Sequence, residues 1–214
     1  MQPLTRYIND TAIDRIHEFM TVSLPLCRLL VQYHQRGQVV KGLCPQRIGL
    51  DKGMQTAYLQ PSTDPTEHWP YMSPEETGRL NRPVDHRSNL YSLGVIFFKL
   101  LVGSPPFQAG DPQEWIQAHL CQEPPFVCSL NPQVPITLGR IIAKLLAKAP
   151  EERYQSIKGL EADLVRCVRE WQTTGKICEF VLGQGDVPAR LQMGHRLYGR
   201  KRERDLIMEA FGRA

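Results

Sequence analysis

Apolar residues near the start of the chain recur at helical spacing. Leu26, Leu29, Leu30 and Tyr33 follow the i, i+3, i+4, i+7 rule, which places them on one helix face, and Gly37 is positioned to end that helix. Ile13, Ile16 and Met20 extend the stripe upstream, with Pro25 expected to kink or divide the element. From residue 38 to 50 the pattern changes to short apolar runs broken by glycine and proline, as strand and loop would give. Asp51-Lys52-Gly53 reads as a turn leading to a second short strand over 54–59. Residues 60–88 are loop-like, rich in Pro, Ser, Thr and Asp.

The strongest helix follows. Ser88 can cap it, and NLYSLGVIFFKLLVG is apolar on nearly every side, the mark of a helix buried through the middle of a fold. Gly103 and the Pro105-Pro106 pair stop it. Asp111-Pro112-Gln113-Glu114 combines a capping side chain, a proline at the first helical position and an acid three residues past the cap, so a helix to about residue 120 is expected. Residues 137–146 give another helix, with Leu138, Ile141, Ile142 and Leu145 on one face. Residues 156–171 give the last, with Ile157, Leu160, Leu164 and Val168 aligned. The expected fold is mainly α with one short β-hairpin.

Composition narrows the class. With 214 residues, 42% of them apolar, the chain is long enough for a real core, and no apolar run approaches the ~20 residues that span a bilayer. The N-terminus lacks the basic-then-apolar pattern of a secretory signal, so a cytoplasmic protein with reduced thiols is expected; its six cysteines are scattered, without a C-x-x-C pair. The formal net charge of +4 is not spread evenly: residues 190–214 carry seven basic and three acidic residues, and the rest balances. A neutral body argues against a nucleic-acid partner, and the basic tail, interleaved with Glu203, Asp205 and Glu209, reads as a solvated helix face.

Three segments carry a resemblance. YMSPEETGRLNRPVDHRSNLYSLGVIFFKLLVGSPPF, from Tyr71 to Phe107, resembles the stretch of a Ser/Thr protein kinase from the end of the activation segment through its central buried helix. LLAKAPEERYQSIKGLEADL, from Leu145, resembles the last helices of that family, and HQRGQVVKGLCPQRIGL, from His34, its catalytic loop. Together they cover about residues 10–171. The resemblance implies a protein-kinase-like C-terminal lobe over 1–175 with the N-lobe absent. It also implies that Glu75, at the glutamate of the A-P-E motif, pairs with Arg153 as a structural ion pair.

The positions that would carry phosphoryl transfer depart from the family. Transfer needs an Asp to accept the substrate proton, and an Asn and a DFG Asp to hold magnesium. Alignment puts Val40-Lys41-Gly42 where His-Arg-Asp belongs, so the base position is Gly42, without a side chain. Arg47 falls at the magnesium-binding Asn, and Gln60-Pro61 lies where DFG is expected. Asn89 replaces the Asp that anchors the central helix to the catalytic loop, and turn or loop chemistry accounts for Asp51 and Asp64. The sequence has no G-x-G-x-x-G loop and no V-A-I-K lysine ahead of this region. The implied reading is a pseudokinase-like module or a truncated kinase fragment, acting as a protein-interaction scaffold without catalytic residues, metal or cofactor. ATP and magnesium enter only under the alternative, a Ser/Thr kinase with displaced catalytic residues or an N-lobe supplied in trans.

From Phe180 the chain resembles the junction in large sensory proteins that join a kinase-like domain to an AAA-type ATPase, a GAF domain and a histidine kinase. Leu197-Tyr198-Gly199-Arg200 and Glu203 match the opening of the ATPase domain, so 176–214 is expected to be a linker and the start of that domain. The partners implied are another protein or the adjacent ATPase and histidine kinase domains. The expected docking surface is the groove formed by residues 68–82 and the helix over 112–120. Without an N-lobe, Val39, Val40, Leu43 and Leu59 are expected to be exposed.

Overall fold

A computed structural model of the chain describes residues 2–9, 14–61, 64 and 66–187. The predicted extension of the first helical stripe to Ile13 and the whole 197–203 match lie outside the described residues.

The chain is mainly helical. Helix α1 is Leu4–Asn9, α2 is Arg15–Gln35, α3 is His86–Val102, α4 is Pro112–Cys121, α5 is Val127–Leu130, α6 is Ile136–Leu145 and α7 is Ile157–Thr174. Helix α2 starts where the Asp14 carboxylate accepts the Ile16 and His17 amides at 3.0 and 3.2 Å, and it runs through Pro25 as one element of 21 residues. Pro25 is buried, so packing of the surrounding face holds the helix across the missing hydrogen bond.

Helix α3 is the axis of the core. Its residues from Leu90 to Leu101 are buried apart from Lys99, as its sequence required. It packs against α2 and α6, while α2 also packs along α7. Phe19 of α2 meets Phe97 of α3 edge to face, with ring centroids 5.0 Å apart. The N-cap is Asp85 and not Ser88. Asp85 Oδ1 accepts the Arg87 amide at 2.8 Å, whereas the Ser88 hydroxyl donates to Glu75 Oε1 at 2.9 Å and is therefore engaged elsewhere.

The expected hairpin is present as β2 (Ile48–Leu50) and β3 (Ala57–Leu59) in antiparallel register. Its second strand is shorter than predicted because Asp51 Oδ1 accepts the amides of Gln55 and Thr56 at 2.8 and 3.0 Å, holding those residues in the turn. A two-residue strand, β1 (Gln2–Pro3), adds to the other edge of β2, too short to leave a periodic signal. Gly49 at the middle of β2 lets the Tyr58 ring cross it, since a Cβ there would lie 2.3 Å from Tyr58 Cζ.

The apolar surface expected at Val39, Val40, Leu43 and Leu59 is not present as such. Val40 and Leu43 are buried, and Val39 and Leu59 are half-buried. The large exposed hydrophobic residues among those described are Leu80, Val84, Leu130, Ile136, Val181 and Val187.

After α7, residues 176–187 turn back onto the body. Ile177, Phe180 and Leu182 pack against the core, and the Arg166 guanidinium lies 4.1 Å from the Phe180 ring centroid. The Asp163 carboxylate accepts both the Tyr154 hydroxyl at 2.6 Å and the Gly183 amide at 2.7 Å. Asp186 closes the strap, accepting the Gln155 amide at 2.6 Å and the Ser156 hydroxyl at 2.8 Å beside the start of α7. No helix among the described residues is long and apolar enough to cross a membrane.

Candidate functional site

The loop between α2 and β2 is built around Asn89. Val40 donates its amide to Asn89 Oδ1 at 2.9 Å, and Asn89 Nδ2 donates to the Val40 carbonyl at 2.6 Å. His34 Nε2 lies 3.1 Å from the same Oδ1. An amide supplies both an acceptor and a donor, and both are used, which a carboxylate could not do. Burial pushes the His34 imidazole below its ordinary pKa.

Past Val40 the chain turns through Gly42 at φ 61°, a left-handed conformation that glycine adopts without Cβ strain. Arg47, in the short 3-10 turn Pro45–Arg47, reaches back across this loop. Its Nη1 donates to the Lys41 carbonyl and, at 3.1 Å, to the Gly42 carbonyl. Its Nε faces the Gln60 carbonyl at 3.5 Å, and the Gln60 amide donates to the Arg47 carbonyl at 2.7 Å. Pro61 is exposed beyond it. Val40, Lys41, Gly42, Arg47 and Gln60 therefore gather in one place. Lys41, Gly42 and Arg47 line a cleft of about 720 Å3 whose other walls include Asp64, His68, Met72 and Glu76.

The acids in this cleft are turned to local work. Asp64 accepts the Thr66 amide and hydroxyl at 2.7 and 2.6 Å, which holds its carboxyl below the usual range, and Glu76 accepts the Ser73 amide and hydroxyl at 2.9 Å. Among the described residues no three His, Cys, Asp or Glu side chains form a metal-ligand group.

Glu75 and Arg153 meet at the base of the next segment. Arg153 Nη1 and Nη2 donate to the two Glu75 carboxylate oxygens at 2.6 and 3.0 Å, and both side chains are essentially inaccessible. Arg153 also donates to the carbonyls of Arg87, Ala147 and Lys148, so every face of its guanidinium is satisfied.

A polar cluster that sequence reasoning missed lies beside it. His119 of α4 sits 3.1 Å from the Tyr91 hydroxyl and 2.9 Å from the Trp69 carbonyl. Burial holds its pKa down at about 4. Lys148 donates to the Ala118 and His119 carbonyls at the end of α4, 4.5 Å from the Phe107 ring centroid, and burial lowers its pKa to about 8. His119 falls at no recognisable spacing, so only a lone histidine on a half-buried helix face could have hinted at it.

No family model matches the chain. Among curated proteins it is 40% identical over 168 residues to "Hybrid signal transduction histidine kinase G" of Dictyostelium discoideum, covering 69% of this chain and 5% of that protein. It is 44% identical over 87 residues to "Serine/threonine-protein kinase Pkn1" of Myxococcus xanthus, covering 41% of this chain and 12% of that one. It is 32% identical over 137 residues to "Peroxide stress-activated histidine kinase mak3" of Schizosaccharomyces pombe, covering 64% and 6%. The chain is kinase-like. It spans only a small part of each of these relatives.

Proposed function

We propose that this kinase-like domain is a protein-interaction module in signal transduction that does not itself transfer phosphate. In this reading residues 1–175 are a kinase C-terminal lobe acting in the cytoplasm. Residues 176–214 lead into an ATPase domain, as in the sensory proteins whose junction the tail resembles.

The observation that carries the reading is Arg47. Its guanidinium holds the Lys41 and Gly42 carbonyls where the resemblance calls for a magnesium ligand. A fixed cation bonded to the loop's own oxygens repels a divalent ion, so the donor set does not suit magnesium. Gly42 offers no group to accept a hydroxyl proton.

The test is a titration of the full chain with ATP and magnesium, read by thermal shift, beside a phosphate-transfer assay on generic protein substrates. No magnesium-dependent shift and no transfer are expected. Transfer that disappears in Lys41→Ala would replace this reading with that of an active Ser/Thr kinase.

A further inference from the structure

A second cleft, of about 700 Å3, opens between the end of α2 and the starts of α3 and α7. Val39 lines both this cleft and the one that holds Arg47, so it forms a wall the two share. Two histidines face each other here. His34, next to the last residue of α2, and His86, the first of α3, meet edge to face with ring centroids 5.7 Å apart.

The hydrogen bonds around the pair fix where each ring carries its proton. Asn89 Oδ1 accepts the Val40 amide and Asn89 Nδ2 donates to the Val40 carbonyl, so the oxygen 3.1 Å from His34 Nε2 is an acceptor. His34 therefore donates from Nε2, and its Nδ1 holds a lone pair. That nitrogen is buried without a hydrogen-bond partner. His86 Nε2 likewise donates, to the Gln155 carbonyl at 2.9 Å, which leaves Nδ1 as the basic site of this ring too.

A proton arriving at His34 Nδ1 meets no acceptor in place, and it sets a cation beside a second ring that titrates in the same range. Desolvation is the main influence holding the His34 imidazole neutral; His86 adds to it, while the Asn89 bond and Asp85 oppose it. Asp85 does not neutralise the site, because Arg87 Nε and Nη2 already bond its carboxylate at 2.7–3.2 Å. From α7, Lys158 lines the same cleft and adds positive charge, and Glu161 is paired with Arg28 of α2. From the strap, Asp186 is taken up by the Gln155 amide and the Ser156 hydroxyl.

We propose that His34 and His86 form an acid-operated latch, in which His34 takes up a proton at Nδ1 by leaving Asn89 and turning into the cleft, loosening the loop that carries Lys41 and Gly42. The route is open, since His34 is half-buried and already lines the cleft. The Nε2–H bond to Asn89 Oδ1 breaks and both ring nitrogens then donate to water. Water also reaches the Asn89 amide, so its two bonds to Val40 compete with solvent. At neutral pH the latch is closed. As pH falls below the 6.5 of an ordinary histidine, the open ring binds a proton that the closed ring excludes. The open form then grows about tenfold per pH unit. The latch works in the same way whether or not the chain transfers phosphate.

The test is amide hydrogen exchange by NMR on the full chain, 15N-labelled, from about pH 7.5 to 5, with rates corrected for their intrinsic pH dependence. Val40 protection is expected to fall about tenfold per pH unit below 6.5. Phe97, in the middle of α3, is expected to stay more protected than Val40 throughout, which marks the opening as local. In His34→Gln the side-chain amide still donates to Asn89 but does not titrate, so the fall in Val40 protection should vanish. His86→Gln keeps a donor for the Gln155 carbonyl without the second charge, and should lessen the loss at pH 5. Val40 protection that is flat with pH, or equal to that of Phe97, overturns the proposal. So does a fall that survives His34→Gln or is undiminished in His86→Gln. If either variant fails to fold, the Val40 and Phe97 measurements on the unmodified chain still decide.

Discussion

Arg153 and Glu75 form a bidentate ion pair at 2.6 and 3.0 Å with almost no solvent contact, joining segments 78 residues apart. The pair fastens the 3-10 turn Pro74–Thr77 to the body, and Ser88 of α3 completes it by donating to the same carboxylate. Desolvating two charges offsets much of their attraction, but removing one leaves the other buried and unpaired. Glu75→Gln and Arg153→Met should each lower stability by about 3–5 kcal/mol in urea unfolding. The double variant should lose less than the sum of the two, which a double-mutant cycle measures directly.

Asn89 holds the loop ahead of Gly42 through both halves of its amide. Asn89→Asp keeps the acceptor for the Val40 amide but sets a carboxylate oxygen against the Val40 carbonyl, 2.6 Å from the present nitrogen. A loss of about 1–3 kcal/mol is expected, with the Val40–Gly42 amides exchanging faster by hydrogen-exchange NMR. An unchanged melting point would contradict the two-way brace.

The buried His119 predicts acid sensitivity. Its pKa is about 4 in the folded chain against 6.5 for an ordinary histidine. Between those values the unfolded chain holds a proton that the folded one refuses. Stability therefore falls as pH drops from 6.5 to about 4 and is unaffected by this group above that window. The full effect is on the order of 3 kcal/mol. His34, also depressed by burial, acts in the same direction. Urea midpoints measured from pH 7 to 4 should fall less steeply in His119→Gln than in the unmodified chain.

The strap over 176–187 depends on Asp186. A Cβ at Gly159 would lie 2.4 Å from Asp186 Oδ1, so Gly159→Ala should displace the same carboxylate that Asp186→Ala removes. Each is expected to cost about 1–2 kcal/mol, the scale of a lost cap, and to expose the strap to limited proteolysis ahead of the body. Resistance equal to that of the unmodified chain would show that the apolar contacts of Phe180 and Leu182 suffice.

The sequence by itself determined α2, α3, α4, α6 and α7, and left the short helices α1 and α5 unmarked. Heptad-like apolar spacing marked α2, α6 and α7, unbroken apolarity marked α3 as the buried axis, and Asp111 stood where α4 is capped. These are local signals, carried by residues within one or two turns of each other. It also singled out Glu75, Arg153, Asn89, Gly42 and Arg47 by their place in a recognisable pattern. Tertiary structure decided what each of them touches. Asp85 caps α3 because Ser88 is drawn to Glu75. Val40 and Leu43 are buried, with Asn89 bonding Val40 on both sides, and Arg47 bends back onto the loop preceding it. His34 and His86 face each other where the end of α2 meets the start of α3. Periodicity reports which face of an element is apolar, but a hydrogen bond depends on which elements meet, and packing alone sets that.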